Sequence, residues 1–221
     1  MFTEYTDADK PTPQSRRQAQ TRQAILENAR ATIAERGIAG LSIRALADSI
    51  DYTPGALYEY FRSKEDLIDA VRADCFESLN DFIAARIQSA QDAAEMLLLG
   101  GLAYIEYAGL HPQEYHIMFN MEPSRATSGE QRQIAMRSLL EIIRVGIAQG
   151  QFVVSAGYDD TVIAYHCWAT VHGIASLQTT LLLAERPDIQ DVIRSILQKV
   201  INGFTLHSIR HELAQQEKAE S

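Results

Sequence analysis

Three helix starts fall within one short stretch, Leu41–Leu67, which reads L-S-I-R-A-L-A-D-S-I-D-Y-T-P-G-A-L-Y-E-Y-F-R-S-K-E-D-L. Ser42 can cap the first helix, its hydroxyl accepting an orphan N–H of the first turn. Thr53 can cap a second, with Pro54 at the first helical position, where its missing N–H costs nothing. Ser63 can cap a third, with Asp66 three residues on as a short version of a capping box. Leu46, Ile50 and Leu57 are spaced to bury one face of each of the first two helices across a turn at Ile50–Tyr52. That is the pattern of a helix-turn-helix, whose second helix enters the DNA major groove. The second helix, Thr53–Tyr60, is short. With Thr53 and Ala56 it presents Tyr58 and Tyr60, two tyrosines the small local core does not need. Their hydroxyls can reach phosphates and their rings can pack on sugars or thymine methyls. Gly55 lets the backbone approach a ligand or phosphate closely.

The run T-P-G-A-L-Y-E-Y-F-R-S-K-E-D-L resembles the DNA-binding domain of the TetR family of transcriptional regulators. Two further stretches, H-P-Q-E-Y-H-I-M-F at His111–Phe119 and W-A-T-V-H-G at Trp168–Gly173, are similar to one C-terminal subgroup of that family. The resemblance implies an all-α fold of about nine helices. It would comprise an N-terminal three-helix DNA-binding domain and a helical domain for ligand binding and dimerisation. It also implies that Arg44, at the start of the second helix, reaches a base edge or phosphate, and that Lys64 clamps a phosphate beside a helix N-terminus.

Charge is distributed as a DNA-binding chain requires, although the net value of −9 argues against it at first sight. Residues 1–9 carry three acids and no base, residues 10–64 nine bases and five acids, and residues 65–221 eleven bases and twenty-one acids. A basic end joined to an acidic body confines the electrostatic footprint to one face. Arg16 and Arg17, at the start of the first helix, oppose its dipole; a phosphate nearby would account for them, and so would an ordinary solvated end. The longest apolar run, Met96–Ile105, falls short of the roughly 20 residues a bilayer requires. Met1–Gln14 lacks the pattern of a signal peptide. A cytoplasmic protein off the membrane is expected.

In chain order, residues 1–14 read as a disordered arm, 15–62 as the DNA-binding domain, 63–215 as the ligand-binding and dimerisation domain, and 216–221 as a frayed tail. The first helix is expected over Ser15–Gly37. A long helix over Ser63–Ser89 links the two domains. Asp92–Gly109 is apolar on nearly all sides, the mark of a central helix. Its Gly100 and Gly101 admit either a closely packed neighbour or space for a ligand. A short helix over Pro112–Asn120, a loop over Met121–Gly129 and an amphipathic helix over Glu130–Gln149 follow. The last two helices, Asp159–Ala184 and Pro187–Ala214, carry more apolar surface than one small body requires. Doubling them across a two-fold axis gives a four-helix bundle, and a two-fold dimer suits a palindromic double-stranded operator.

No catalytic signature is present: no G-x-S-x-G, no phosphate-binding loop and no H-E-x-x-H. No cofactor and no metal are expected; His207 and His211 are four apart but have no third ligand. Cys75 and Cys167 form no metal spacing and sit in apolar patterns, as buried thiols do. Large adaptable side chains in the central helices, Met96, Tyr104, Tyr107, Met118, Phe119 and Trp168, suit a pocket for an apolar small molecule. At helical spacing they equally suit plain core, so the pocket rests on the family resemblance. His172 needs a partner in so apolar a helix, either a neighbouring carbonyl or tyrosine, or a ligand. The function expected is a homodimeric repressor released from DNA by a small, largely apolar effector. The alternatives are a regulator controlled by a protein or by thiol oxidation, and a helical enzyme that binds a small molecule.

Overall fold

Capping chemistry sets most helix boundaries. The computed structural model describes residues 12–119, 128–155, 157–180 and 188–205. Among them are nine α-helices: α1 (Pro13–Gly40), α2 (Ile43–Ser49), α3 (Pro54–Tyr58), α4 (Lys64–Ile87), α5 (Ala93–Leu110), α6 (Pro112–Phe119), α7 (Ser128–Ala148), α8 (Asp160–Thr180) and α9 (Ile189–Asn202). The described residues form no strand, only the isolated bridges Phe152–Thr205 and Ser155–Tyr158. The chain divides into two compact units, Met1–Asp74 and Cys75–Ser221. The tail expected over 216–221, His207, His211 and most of both the expected arm and the Met121–Gly129 loop lie outside the described residues.

In the first unit, α1 begins two residues earlier than its pattern suggests. The Thr12 hydroxyl accepts the Ser15 N–H at 3.1 Å, and Pro13 takes the first helical position. The helix is interrupted at Gly37 (φ 68°, ψ 177°), a conformation open essentially only to glycine. Ser42 caps α2 through the Ala45 N–H and Thr53 caps α3 through the Ala56 N–H. Asp51, in the turn between them, has φ 58°; Asp tolerates this left-handed state better than most residues. At α4 the Ser63 hydroxyl accepts the Asp66 N–H at 3.1 Å, and the Asp66 carboxylate reaches back to the Arg62 N–H at 2.9 Å. The unit closes over Ile25, Leu26, Ala29, Leu46, Leu57, Leu67 and Val71, all buried. Asp69 and Arg72 are buried with them as an ion pair at 3.2 Å.

The second unit is built around α5, which packs on α6, α7, α8 and α9. By length and composition Ala93–Leu110 reaches what a membrane span requires, a longer apolar stretch than the run Met96–Ile105 suggests. Here it is the core helix, burying Leu97, Gly101, Ala103, Tyr104, Ile105, Tyr107 and Ala108. Below it lie Ile143, Phe152, Ile163, Ala164, Ile201 and Phe204. The pattern that suggests one helix from Pro187 to Ala214 is broken at Asn202. Gly203 and Phe204 turn, the Val153 N–H bonds to the Phe204 carbonyl at 2.9 Å, and Phe204 folds onto Phe152. Phe204 continues the helical spacing of Leu197 and Ile201, so the apolar pattern masks the break.

The two adjacent glycines of α5 both line the cavity of this unit and differ in how closely neighbours approach them. A Cβ at Gly101 would meet Leu197 and Val171 at 3.2 Å, so helices pack closely there. A Cβ at Gly100 would sit at ordinary contact distance from Ile83 and Ile87. At Gly146 a Cβ would come within 2.3 Å of the Phe152 ring, which the core holds in place. Gly100→Ala is therefore expected to raise stability, by up to about 1 kcal/mol from helix propensity alone. Gly146→Ala should lower it by about 1–3 kcal/mol through overpacking. Urea unfolding of the two variants beside the parent chain checks both signs.

Candidate functional site

In the first unit the short α3 is a capped platform. Its single buried side chain, Leu57, seats it. Tyr58 is 53% exposed, and Thr53 and Gly55 are exposed beside it, with Pro54 and Ala56 half-buried. The helix closes at Tyr58, so Tyr60 lies one residue past its Glu59 cap. Tyr60 is half-buried and, with Gln18, Ala19, Arg22 and Glu59, lines a groove of about 330 Å³. Two of its neighbours are fixed: Arg22 lies over the Phe61 ring at 5.3 Å, and Thr21 Oγ1 is 3.1 Å from the Tyr52 hydroxyl. Tyr52 is a half-exposed tyrosine that its place in the turn gave no reason to select.

Basic and hydroxyl groups selected from the sequence are also open to solvent in this unit. Arg16, Arg17, Ser42 and Arg44 are exposed, and Lys64 is half-buried at the first position of α4. The Ser42 and Thr53 hydroxyls accept their cap N–H groups and keep their own hydrogens to donate. A phosphate oxygen is a matching acceptor. Exposed hydroxyl and cationic donors together with tyrosine rings are chemistry suited to a sugar-phosphate backbone and groove edge.

In the second unit a cavity of about 550 Å³ lies among α4, α5, α7 and α8. Its walls are Leu79, Ile83 and Ile87 of α4, Met96 and Gly100 of α5, Leu139 and Ile142 of α7, and Trp168 and Val171 of α8, with Phe76, Tyr104 and Phe119 joining them. Pockets for small molecules span roughly 300–1,000 Å³ and are mostly apolar. Of the residues selected from sequence, Met96, Tyr104, Phe119 and Trp168 line the cavity. Tyr107, Met118 and His172 do not. Met118 is fully buried in the core, and the Tyr107 hydroxyl is hydrogen-bonded to the Glu114 carboxylate, with its ring against Phe82 and His111. The lining residues that pattern reading missed include Asn80, Asp81, Ser138 and Cys167.

His172 stands behind the wall. Its Nδ1 is 3.0 Å from the Tyr104 hydroxyl and 2.8 Å from that of Tyr115, and its ring stacks on Trp168 at 5.3 Å. One ring nitrogen cannot serve two phenols equally, and Tyr115 has further partners in Ser176 Oγ at 3.3 Å and the His172 carbonyl at 3.4 Å. Desolvation raises the pKa of both phenols and lowers that of His172, so the cluster is neutral. Burial pushes the Cys167 thiol up to about 12, far from thiolate reactivity, and Cys75 is fully buried.

The fold and these two surfaces define a helix-turn-helix DNA-binding protein with a ligand-sized cavity in its second unit. Residues 25–71 match the model of the tetR family of bacterial regulatory proteins, and residues 97–200 match that of a tetracyclin repressor-like C-terminal domain. The chain belongs to the tetR family and is a DNA-binding transcriptional regulator, not an enzyme. It is 26% identical over 144 residues to the HTH-type transcriptional repressor KstR2 of Mycolicibacterium smegmatis, spanning 61% of this chain and 68% of that one. The structure of a protein of unknown function from Rhodococcus sp. RHA1 superposes with a TM-score of 0.73 at 25% identity, covering 83% of this chain and 95% of that one. The ketosteroid transcriptional regulator KstR2 of Mycobacterium tuberculosis shares the fold at 21% identity and a TM-score of 0.57, covering 84% and 95%.

The His172 cluster makes a pH prediction. A folded-state pKa held below the ordinary 6.5 means that the native chain binds fewer protons than the unfolded chain once pH falls below 6.5. The stability is fully present above that pH and declines beneath it. Between pH 7.5 and 5.0 the parent chain should lose more stability than His172→Gln. At pH 7.5, His172→Leu should cost about 1–3 kcal/mol by leaving buried phenols without the imidazole. Denaturant unfolding at the two pH values measures both effects.

Proposed function

We propose that this chain is a homodimeric repressor of a palindromic operator, released when a small, largely apolar molecule enters the cavity of the second unit. In this reading residues 15–62 form the DNA-binding domain and residues 63–215 the ligand-binding and dimerisation domain. The observation that carries it is α4. One uninterrupted helix starts at Lys64 beside the α3 platform and ends at Ile87, and its last three turns form a cavity wall. A ligand that favours one position of those turns over another shifts the population of the whole rod. Two copies of α3, carried on two such rods, would enter successive major grooves about 34–36 Å apart. Movement of the rods would change that spacing and weaken binding. Repression, rather than activation, is supported by the repressor KstR2 among its relatives. A dimer through α8 and α9 is supported by the apolar side chains these helices leave exposed, Val162, Tyr165, Leu177 and Ile196. A regulator of this kind works in the bacterial cytoplasm, beside the chromosome.

Thiol control is the weaker reading. Cys75 is buried, and Cys167, half-buried in the cavity lining, is held as a thiol.

Trp168 is the chain's single tryptophan and lines the cavity, so its emission reports occupancy directly. With an operator selected from a random duplex pool, apolar compounds that quench Trp168 should raise the concentration of protein needed for half-binding. Gly100→Leu, whose side chain would fill the cavity, should abolish both effects. Quenching that never alters operator affinity would overturn the reading. Tyr58→Ala and Lys64→Ala should each weaken operator binding about tenfold or more while leaving the dimer intact by light scattering. Unchanged binding would place the reading surface elsewhere.

A further inference from the structure

The cavity wall is mostly apolar, and the charge it carries has one sign. Asn80 and Asp81, consecutive on α4, line it, and Ser138 of α7 lines it as well. Asp81 is exposed to solvent, which places it on the rim rather than in the interior. Among the described residues it is the one lining residue that carries charge. Arg86, the next base along α4, is held by Glu106 at 2.9 Å. The wider field has the same sign, since residues 65–221 carry twenty-one acids against eleven bases. A cleft with low-dielectric walls focuses such a field on whatever enters it. Aromatic rings of Phe76, Tyr104, Phe119 and Trp168 complete the lining, and their faces attract cations as well as apolar groups.

We propose that Asp81 selects the charge of the effector, so that the cavity takes lipophilic amines and uncharged apolar molecules and turns away carboxylates of the same shape. This rests on the reading of the cavity as the effector site and adds the chemical class of what it holds. A carboxylate would meet the Asp81 carboxylate at the rim with no described lining base to offset it. An ammonium would meet an opposite charge there with aromatic faces beyond. An alcohol would lie between the two.

Dodecylamine, dodecanol and dodecanoate share one chain and differ in charge, and each is used below its micellar concentration. Binding is read from Trp168 emission in the full-length protein. The amine should bind about tenfold or more tightly than the carboxylate, with the alcohol between, because the charge reverses at one fixed rim acid. Asp81→Asn should reduce that ratio to about threefold or less, and Asp81→Lys should reverse it. Glu77→Gln removes an exposed acid of the same helix that does not line the cavity, and should leave the ratio unchanged. Equal binding of amine and carboxylate, a ratio indifferent to Asp81→Asn, or an equal response to Glu77→Gln overturns the proposal. Failure of all three probes to bind overturns it together with the effector reading. Charge-ordered binding that never releases operator leaves Asp81 selecting ligands and removes only the repressor mechanism.

Discussion

One continuous helix, α4, runs from the helix-turn-helix unit into the unit that holds the cavity. From Lys64 to Ile87 there is neither glycine nor proline, and the sequence is rich in good helix formers. The helix is about 36 Å long at 1.5 Å per residue. Its first turn is fixed by Ser63 and Asp66, and its middle by the buried Asp69–Arg72 pair and by Arg30 against Asp74 at 3.4 Å. The Asp69–Arg72 pair lies within α4 and adds little net stability, whereas Arg30 of α1 ties the helix to a neighbour through Asp74. Such an element passes on displacement at one end because it cannot absorb it in the middle.

The cavity and the core beneath it solve different problems with similar residues. Where side chains must pack densely, the chain uses glycine to admit a neighbour, as at Gly146 beneath Phe152. Where space is left open, large aliphatic and aromatic groups line it, and the polar groups behind it are paired with one another. Tyr104, Tyr115, His172 and Ser176 form a neutral network whose members supply one another's hydrogen bonds. That keeps the apolar wall free of the unpaired polar groups whose burial would be costly. Under the proposed effector reading, a ligand would meet a wall already satisfied, and its selection would fall to shape and to the polar rim.

Local chemistry was the legible part. Ser42, Thr53 and Ser63 cap where their sequence positions say they should, because a capping hydroxyl acts within four residues and needs nothing from the rest of the chain. The central place of α5 follows from its composition for the same reason. Tertiary outcomes were less visible. Leu79, Ile83 and Ile87 repeat at helical spacing whether another helix or an open space faces them, so periodicity could not separate cavity wall from core. Tyr107 and Met118 went to the core, and Met96 and Trp168 to the cavity, although all four have the same character in a pattern. Asp81 gave no signal at all, since an acid on a helix surface is ordinary until the surface proves to be a rim. The end of α9 at Asn202 was hidden because Phe204, folded back on Phe152, preserves the spacing of the helix it has left.

Coupling of cavity to DNA through a rigid α4, as proposed, is read from the ratio of operator affinities without and with saturating effector in a chain whose α4 has been softened. Ala73→Gly with Glu77→Gly places two glycines on either side of the Asp74–Cys75 boundary, at about 1 kcal/mol each in helix propensity. This variant should still bind operator and still show Trp168 quenching by the effector, while the affinity ratio collapses toward one. An affinity ratio equal to that of the parent chain, with both binding steps intact, would contradict it.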